Sequence, residues 1–108
     1  MKEDMRNRVE VWSYTTYNNK LGEITHKPKK IITIWAAIIP QTGSLQKQQA
    51  ETVLSNVTHK IITRYSSGKS ITQDMWLIYQ GKRFDIKFIL NPFYKNETLE
   101  LFCEQVIE

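Results

Sequence analysis

The sequence is poor in the residues that carry chemistry or break a chain into pieces. Its 108 residues hold one cysteine, two histidines, four glycines and three prolines. A single cysteine excludes an internal disulfide and fits a reducing compartment; Cys103 reads as a core thiol. His26 and His59 lie far apart with no ligand spacing near either, which argues against a metal site. The glycines are scattered, so there is no phosphate-cradling loop, and no G-x-S-x-G elbow is present. No segment approaches the ~20 apolar residues of a membrane helix, and no membrane contact is expected. The opening MKEDMRNR has no apolar run behind it, so no secretory leader is expected. The glycosylation sequons at Asn56 and Asn96 therefore read as chance.

What is present fits one domain over residues 1–108 with enough apolar residues for its own core. The net charge is +4, mildly basic and undiagnostic in itself, but the signs are separated. Lys27, Lys29 and Lys30 cluster. Nothing after Lys95 is basic, while Glu97, Glu100, Glu104 and Glu108 follow. Such a distribution suits either solvated polar faces or opposite-signed surfaces that meet on neighbouring copies or partners.

The most informative stretch is Met75 to Pro92, which reads as two strands joined at Gln80-Gly81. In the second strand Phe84, Ile86, Phe88 and Leu90 alternate with Arg83, Asp85, Lys87 and Ile89. A period of two places the first four on one face of a sheet, at about 1.5–3 kcal/mol for each side chain buried. Arg8 to Thr15 reads as a first strand with Val9, Val11 and Ser13 on one side. Tyr17 to Gly22 is turn chemistry. Ile24 to Lys30 continues extended, and Pro28 keeps it out of a sheet centre. Ile31 to Ile39 is apolar on both faces, a buried strand or a short buried helix, with its isoleucines favouring strand.

Gln41 to Val57 changes character: polar, glutamine-rich and long for a connection between neighbouring strands. Ser44 offers a helix cap, but Lys47 stands where a capping box needs an acid. Leu45, Gln49, Thr52 and Val53 form only a thin apolar stripe. A functional protrusion, a plain surface helix and a disordered segment all fit. Thr58 to Tyr65 reads as a strand with His59, Ile61, Thr63 and Tyr65 on one face and Lys60, Ile62 and Arg64 on the other. Ser66-Ser67-Gly68 turns the chain, and Leu99 to Val106 is the last strand. The expected fold is mainly β: a small antiparallel β-barrel or sandwich of about six strands, with one long loop able to hold a short helix.

No catalytic constellation emerges. Asp85 with Glu100 or Glu104 would be a carboxylate pair, but all three are expected on outward faces, and His59 reads as a strand residue. Trp12, Tyr14, Trp76, Lys60 and Arg64 are candidates for a single-strand nucleic-acid platform, although no RNP-type motif accompanies them.

Several segments in order carry a resemblance: the Arg8-to-Tyr14 strand and the Gly22 turn; Trp35-Ala36-Ala37 before a proline and the polar stretch; Thr58-His59-Lys60-Ile61-Ile62-Thr63-Arg64-Tyr65, then Ile71; Tyr79-Gln80-Gly81-Lys82; Phe84-Asp85-Ile86; and Leu99-Glu100-Leu101 with Cys103-Glu104. Over nearly the whole chain they resemble the tailed-bacteriophage head–tail joining family, also described as head-completion, stopper or head–tail adaptor proteins.

The resemblance implies a structural, non-enzymatic β-barrel subunit of the virion, without cofactors and assembled in the bacterial host cytoplasm. It implies a homo-oligomeric ring below the portal and its adaptor protein, formed by a subunit that can be monomeric when free. The ring would also meet a tail-joining protein, help retain packaged DNA and provide the tail docking surface. The long loop is then expected to face the DNA channel, in non-specific contact with DNA, through Gln41, Ser44, Leu45, Gln46, Lys47, Gln48, Gln49, Glu51 and Asn56. Arg6, Tyr17, Lys27, Lys29, Glu100 and Glu104 are expected at subunit or partner contacts. The alternatives are a tail-side joining or tail-completion protein and a single-strand nucleic-acid-binding barrel.

Overall fold

The computed structural model describes residues 5–18, 20–41 and 57–107. Six strands carry the fold: β1 (Asn7–Asn18), β2 (Ile24–Pro40), β3 (His59–Arg64), β4 (Trp76–Tyr79), β5 (Lys82–Leu90) and β6 (Thr98–Gln105). A single helical turn, α1 (Tyr65–Gly68), follows β3. Every pairing is antiparallel, and the strands close into a barrel in the order β1-β2-β3-β6-β5-β4. Closure is made where Glu10, Val11 and Trp12 pair with Ile78, Leu77 and Trp76. Closure leaves the barrel wall itself without an open sheet edge.

The barrel is filled by the inward positions of its strands. Val9 and Val11, Ile34 and Ala36, Ile61, Leu77, Phe84 and Ile86, and Leu101 and Cys103 are buried together, with Ile71 among them. Ile32, Ile38 and Ile89 pack against this core from β2 and β5. Thr63 is also fully buried, and its hydroxyl donates to the Trp35 carbonyl at 2.9 Å, which answers the cost of burying it. The Cys103 thiol, desolvated in the core, is pushed up to about 12. It is a protonated, unreactive filler of the interior.

Two bulges set the phase of the outer wall. On β2, Ile32 pairs with Val11 and Lys30 with Trp12, so Ile31 is the extra residue and stands exposed. On β5, Ile86 pairs with Cys103 and Phe88 with Phe102, so Lys87 is extra. This corrects the expected alternation of the second hairpin strand. Phe84 and Ile86 point inward, but the inserted residue reverses the phase. Ile89 then faces the core, while Phe88 and Leu90 stand outside, 37% and 38% exposed.

Strands β1 and β2 outrun the barrel. From Ser13↔Lys29 to Asn18↔Ile24 they pair only with each other, forming a two-stranded arm. The two segments expected at Ile24 to Lys30 and Ile31 to Ile39 are one strand of 17 residues. Pro28 sits in the arm, where one side of β2 has no neighbour and a missing N–H costs nothing. The tight hairpin between β4 and β5 has both central residues left-handed, Gln80 at φ 51° and Gly81 at φ 76°. That pattern fits the twist of the strands it joins.

Candidate assembly surfaces

Strand direction sorts every connection to one of two ends of the barrel. The β1–β2 arm, the α1 segment between β3 and β4, and the β5–β6 loop emerge at one end, here the arm end. The start of β1, the stems at Gln41 and Thr58, the Gln80-Gly81 turn and the end of β6 gather at the other, the root end.

At the root end the expected channel loop lies outside the described residues from Ser44 to Asn56, but its two stems are described. The Gln41 N–H donates to the Thr58 carbonyl at 2.8 Å, and the Thr58 N–H donates to the Cys103 carbonyl at 2.9 Å. The Thr58 hydroxyl accepts from the Gln105 N–H at 2.8 Å and stands 2.9 Å from His59 Nδ1. The Gln41 amide donates to the Ile39 carbonyl at 3.3 Å, and Val57 is fully buried. The stems are thus clamped to each other and to β6. His59 has a pKa below its ordinary value, first because burial penalises its charged form and then because Lys82 lies near. Its ring meets Phe84 edge-on at 5.1 Å. Arg6 stands exposed just before β1, at the same end.

At the arm end, Lys27 and Lys29 alternate along β2, paired with Thr15 and Ser13, and Tyr17 pairs with Thr25 nearer the tip. Lys27 and Lys29 are exposed, as are Leu21 and Ile24. Glu100 and Glu104 share the outer face of β6, two strands round the wall from β2. Glu104 pairs with Lys87 at 3.2 Å, and Glu100 lies in register between Ile62 and Leu90. The arm lysines and the β6 carboxylates are therefore on separate parts of one subunit.

The residues weighed for a nucleic-acid platform divide: Trp12, Tyr14 and Trp76 meet on one face, and Lys60 and Arg64 do not join them. Trp76 is on the outer wall but only 4% exposed. Tyr14 tilts over it at 4.8 Å, and the Arg83 guanidinium covers it at 4.4 Å. Trp12 donates its indole N–H to Glu10 at 2.9 Å. Lys60 and Arg64 are on β3, which β1 and β2 separate from β4. The cleft beside Trp76, of about 390 Å³, is lined by Trp12, Pro28, Ile78 and Arg83 among others. Asp85 and Glu104 do pair in register, but each is held by its own cation, Asp85 by Arg83 at 2.8 Å and Glu104 by Lys87. Among the described residues no group of three or more His, Cys, Asp or Glu could hold a metal ion. No described helix is long and apolar enough to cross a membrane.

One exposed feature is not among the residues singled out from the sequence. Between β5 and β6 a short turn, Pro92–Tyr94, presents Phe93 and Tyr94 to solvent. The available signal was two aromatics placed between a proline and an asparagine.

A closed antiparallel barrel with a filled interior and exposed structures at both ends defines a structural module that works through its surface. The family comparison agrees. The model of the phage head completion protein family matches residues 2–106, and the chain belongs to that family. It is accordingly a structural protein of the virion with a head–tail connector role, in contact with other virion components. Among the solved structures similar in fold are two of note. Protein SF1141 from Shigella flexneri 2a, solved in solution, superposes with a TM-score of 0.81 at 20% identity, covering 96% of this chain and 95% of that one. A chain from the virion of a native gene transfer agent particle gives 0.64 at 12% identity, covering 99% and 100%. A search of the curated proteins finds no match.

Proposed function

We propose that the chain forms a homo-oligomeric ring in the connector, below the portal and its adaptor, where it helps retain packaged DNA and offers the tail its docking surface. It would assemble there in the cytoplasm of the host. The observation that carries this reading is the clamped root of residues 41–57. A long polar segment whose two stems, at Gln41 and Thr58, are fixed to one barrel end has a rigid base, which suits a channel crowded with phosphate. Its charges, Lys47 and Glu51, cancel, so it would not grip DNA as a lysine-rich lining would. Gln41, Ser44, Leu45, Gln46, Lys47, Gln48, Gln49, Glu51 and Asn56 are the proposed channel residues. Arg6 at the root end, Tyr17, Lys27 and Lys29 on the arm, and Glu100 and Glu104 on β6 are the proposed contacts. Opposite signs on separate faces of one subunit suit the head-to-tail interface that closes a ring.

The test is removal of the gene from its phage, with complementation by the wild type or by a variant lacking Leu45 to Leu54. Empty, tailless heads beside complete free tails, rescued by the wild type alone, are the expected result. Filled heads with normal tails after gene removal would refute the role in head completion. Filled heads that lack only tails would move the protein to the tail side of the joint. A loop variant that yields filled, stable heads would sink the channel assignment.

A further inference from the structure

We infer that the β1 side of the arm, from Ser13 to Asn18, accepts an extended segment of another connector protein as an added strand, one that alternates carboxylates with apolar side chains. The inference rests on the connector role and adds to it what the arm does there.

Among the described residues three strands have a stretch of several residues toward the arm end with one side unpaired, and two of the three are guarded. β2 pairs with β3 only from Ala36 to Pro40, so its arm stretch has a bare side. That stretch carries Lys27, Pro28, Lys29 and Lys30, with the bulge residue Ile31 next to them. Lysine, proline and a bulge are devices that discourage a further strand. β5 loses β4 after Asp85. There Lys87 is the bulge residue, and its carbonyl is taken by the Gln73 amide at 2.6 Å. β1 loses β4 after Trp12, yet Ser13 to Asn18 holds no charge, proline or bulge. Tyr14, Thr15, Thr16 and Tyr17 are aromatic or β-branched, the types that favour strands. An open, unguarded edge beside two protected ones is an acceptor for strand addition. Main-chain hydrogen bonds then hold the guest, and alternate side chains select it.

Charge and reach select the guest. Lys27 and Lys29 share one face with their register partners Thr15 and Ser13. Those partners are short, so both lysines can extend over β1 toward an added strand, which would lie about 10 Å from β2. A lysine and a glutamate together span that distance. Between Ser13 and Lys30 stand four lysines and one carboxylate, Glu23, and Lys29 has no ion pair among the described residues. Glu10 is on the other face of β1, engaged by Lys30 at 4.0 Å and by the Trp12 indole. Asp74 accepts from the Thr72 hydroxyl, and Glu97 and Glu100 belong to β6 and its approach, opposite β1 in the barrel. On the outer face the added strand would run in line with β4. It would pass the exposed Tyr14 and the cleft lined by Trp12, Pro28 and Trp76, which suit apolar side chains. A second copy offers no such strand among its described residues. Its β2 would bring lysines to lysines, and β1 against β1 would close an isologous pair instead of a ring. The guest is therefore a different chain.

The experiment uses purified wild-type protein and K27E/K29E, with heads and free tails isolated from a lysate that lacks this chain. Amide hydrogen exchange is followed from Ser13 to Asn18 in the free wild type and in the wild type bound to each particle. On binding either heads or tails, every second amide, on the bare side of β1, should exchange at least about 10-fold more slowly. K27E/K29E changes only exposed side chains of the arm and should keep the wild-type melting temperature. It should bind that same particle at least about 10-fold more weakly while keeping the other contact. Binding that leaves exchange from Ser13 to Asn18 unchanged would overturn the inference alone. So would a charge-reversed variant that binds as the wild type does, or the same protection on merely concentrating the free protein. Wild-type protein that binds neither heads nor tails would overturn the connector reading and this inference with it.

Discussion

Replacing Gly68 with alanine introduces a methyl group where the arm end has no room for one. Its Cβ would stand 2.8 Å from Thr63 Cγ2, 3.2 Å from Leu99 Cδ1 and 3.5 Å from Ile71 Cδ1. Thr63 cannot turn aside, because it is β-branched, fully buried and tied through its hydroxyl to the Trp35 carbonyl. Overpacking of this kind costs about 1–3 kcal/mol. Alanine recovers roughly 0.4–1 kcal/mol by restricting the unfolded chain. The net loss is then about 1.5 kcal/mol, or roughly 6–12 °C in Tm for a domain of this size. Thr63→Ser removes the obstructing methyl and by itself should cost about 1 kcal/mol. In the double variant the new Cβ occupies the space that Cγ2 vacates, so the combined loss should fall short of the sum by about 1 kcal/mol or more. Urea unfolding of the four proteins, followed by tryptophan fluorescence with equal m-values required, measures this coupling. Additivity within about 0.3 kcal/mol would refute the packing argument. It would mean that α1 lifts off the barrel instead of pressing on Thr63.

Two further predictions concern the opposite wall and the root. Ile86→Ala should destabilise the fold by about 2–5 kcal/mol, and Phe88→Ala, outside the bulge, by roughly half as much or less; the reverse order in urea would restore an unbroken alternation along β5. His59 has a folded pKa below its unfolded value of 6.5, so the unfolded state takes up the proton more readily. Its contribution is full above about pH 6.5 and is lost as the pH falls through the folded pKa. The urea midpoint should therefore drop between about pH 7 and pH 5, and His59→Gln should flatten that dependence.

The sequence made the barrel legible wherever alternation was clean. Val9, Val11 and Ser13 on β1, and Ile61 and Thr63 on β3, are buried as their period of two requires. So are Leu99, Leu101 and Cys103 on β6. Pro28 correctly signalled a segment paired on one side. The β5 bulge left no mark, because Phe88, Ile89 and Leu90 are all apolar and fit either phase; only the shared register with β6 decides between them. The left-handed backbone at Phe93 and Tyr94, φ 56° and 53°, was invisible for the opposite reason. Glycine or asparagine advertises left-handed backbone, and aromatic residues advertise strands. Charge separation between the arm and β6 could be read directly from Lys27, Lys29, Glu100 and Glu104. Where each lies depends on how the barrel closes, which no local pattern encodes.

That closure also accounts for how so small a domain can serve a joint. In an antiparallel barrel, successive connections alternate between ends. The arm, α1 and the β5–β6 loop fall at one end, and the stems at Gln41 and Thr58, the Gln80-Gly81 turn and the end of β6 at the other. On the reading proposed above, one end would serve the channel and the other a neighbouring protein, with the filled core between them as a rigid spacer. On that reading, substitutions in the arm would alter one contact without loosening the clamp at Thr58. The strand that meets both is β6. Its start follows the β5–β6 loop, and the Cys103 carbonyl and the Gln105 N–H hold the root of residues 41–57. A change that slides β6 by one residue would move both working surfaces at once. The alternation of Leu99, Leu101 and Cys103 against the core opposes that slip, so β6 fixes the relative placement of the two ends as well as completing the barrel.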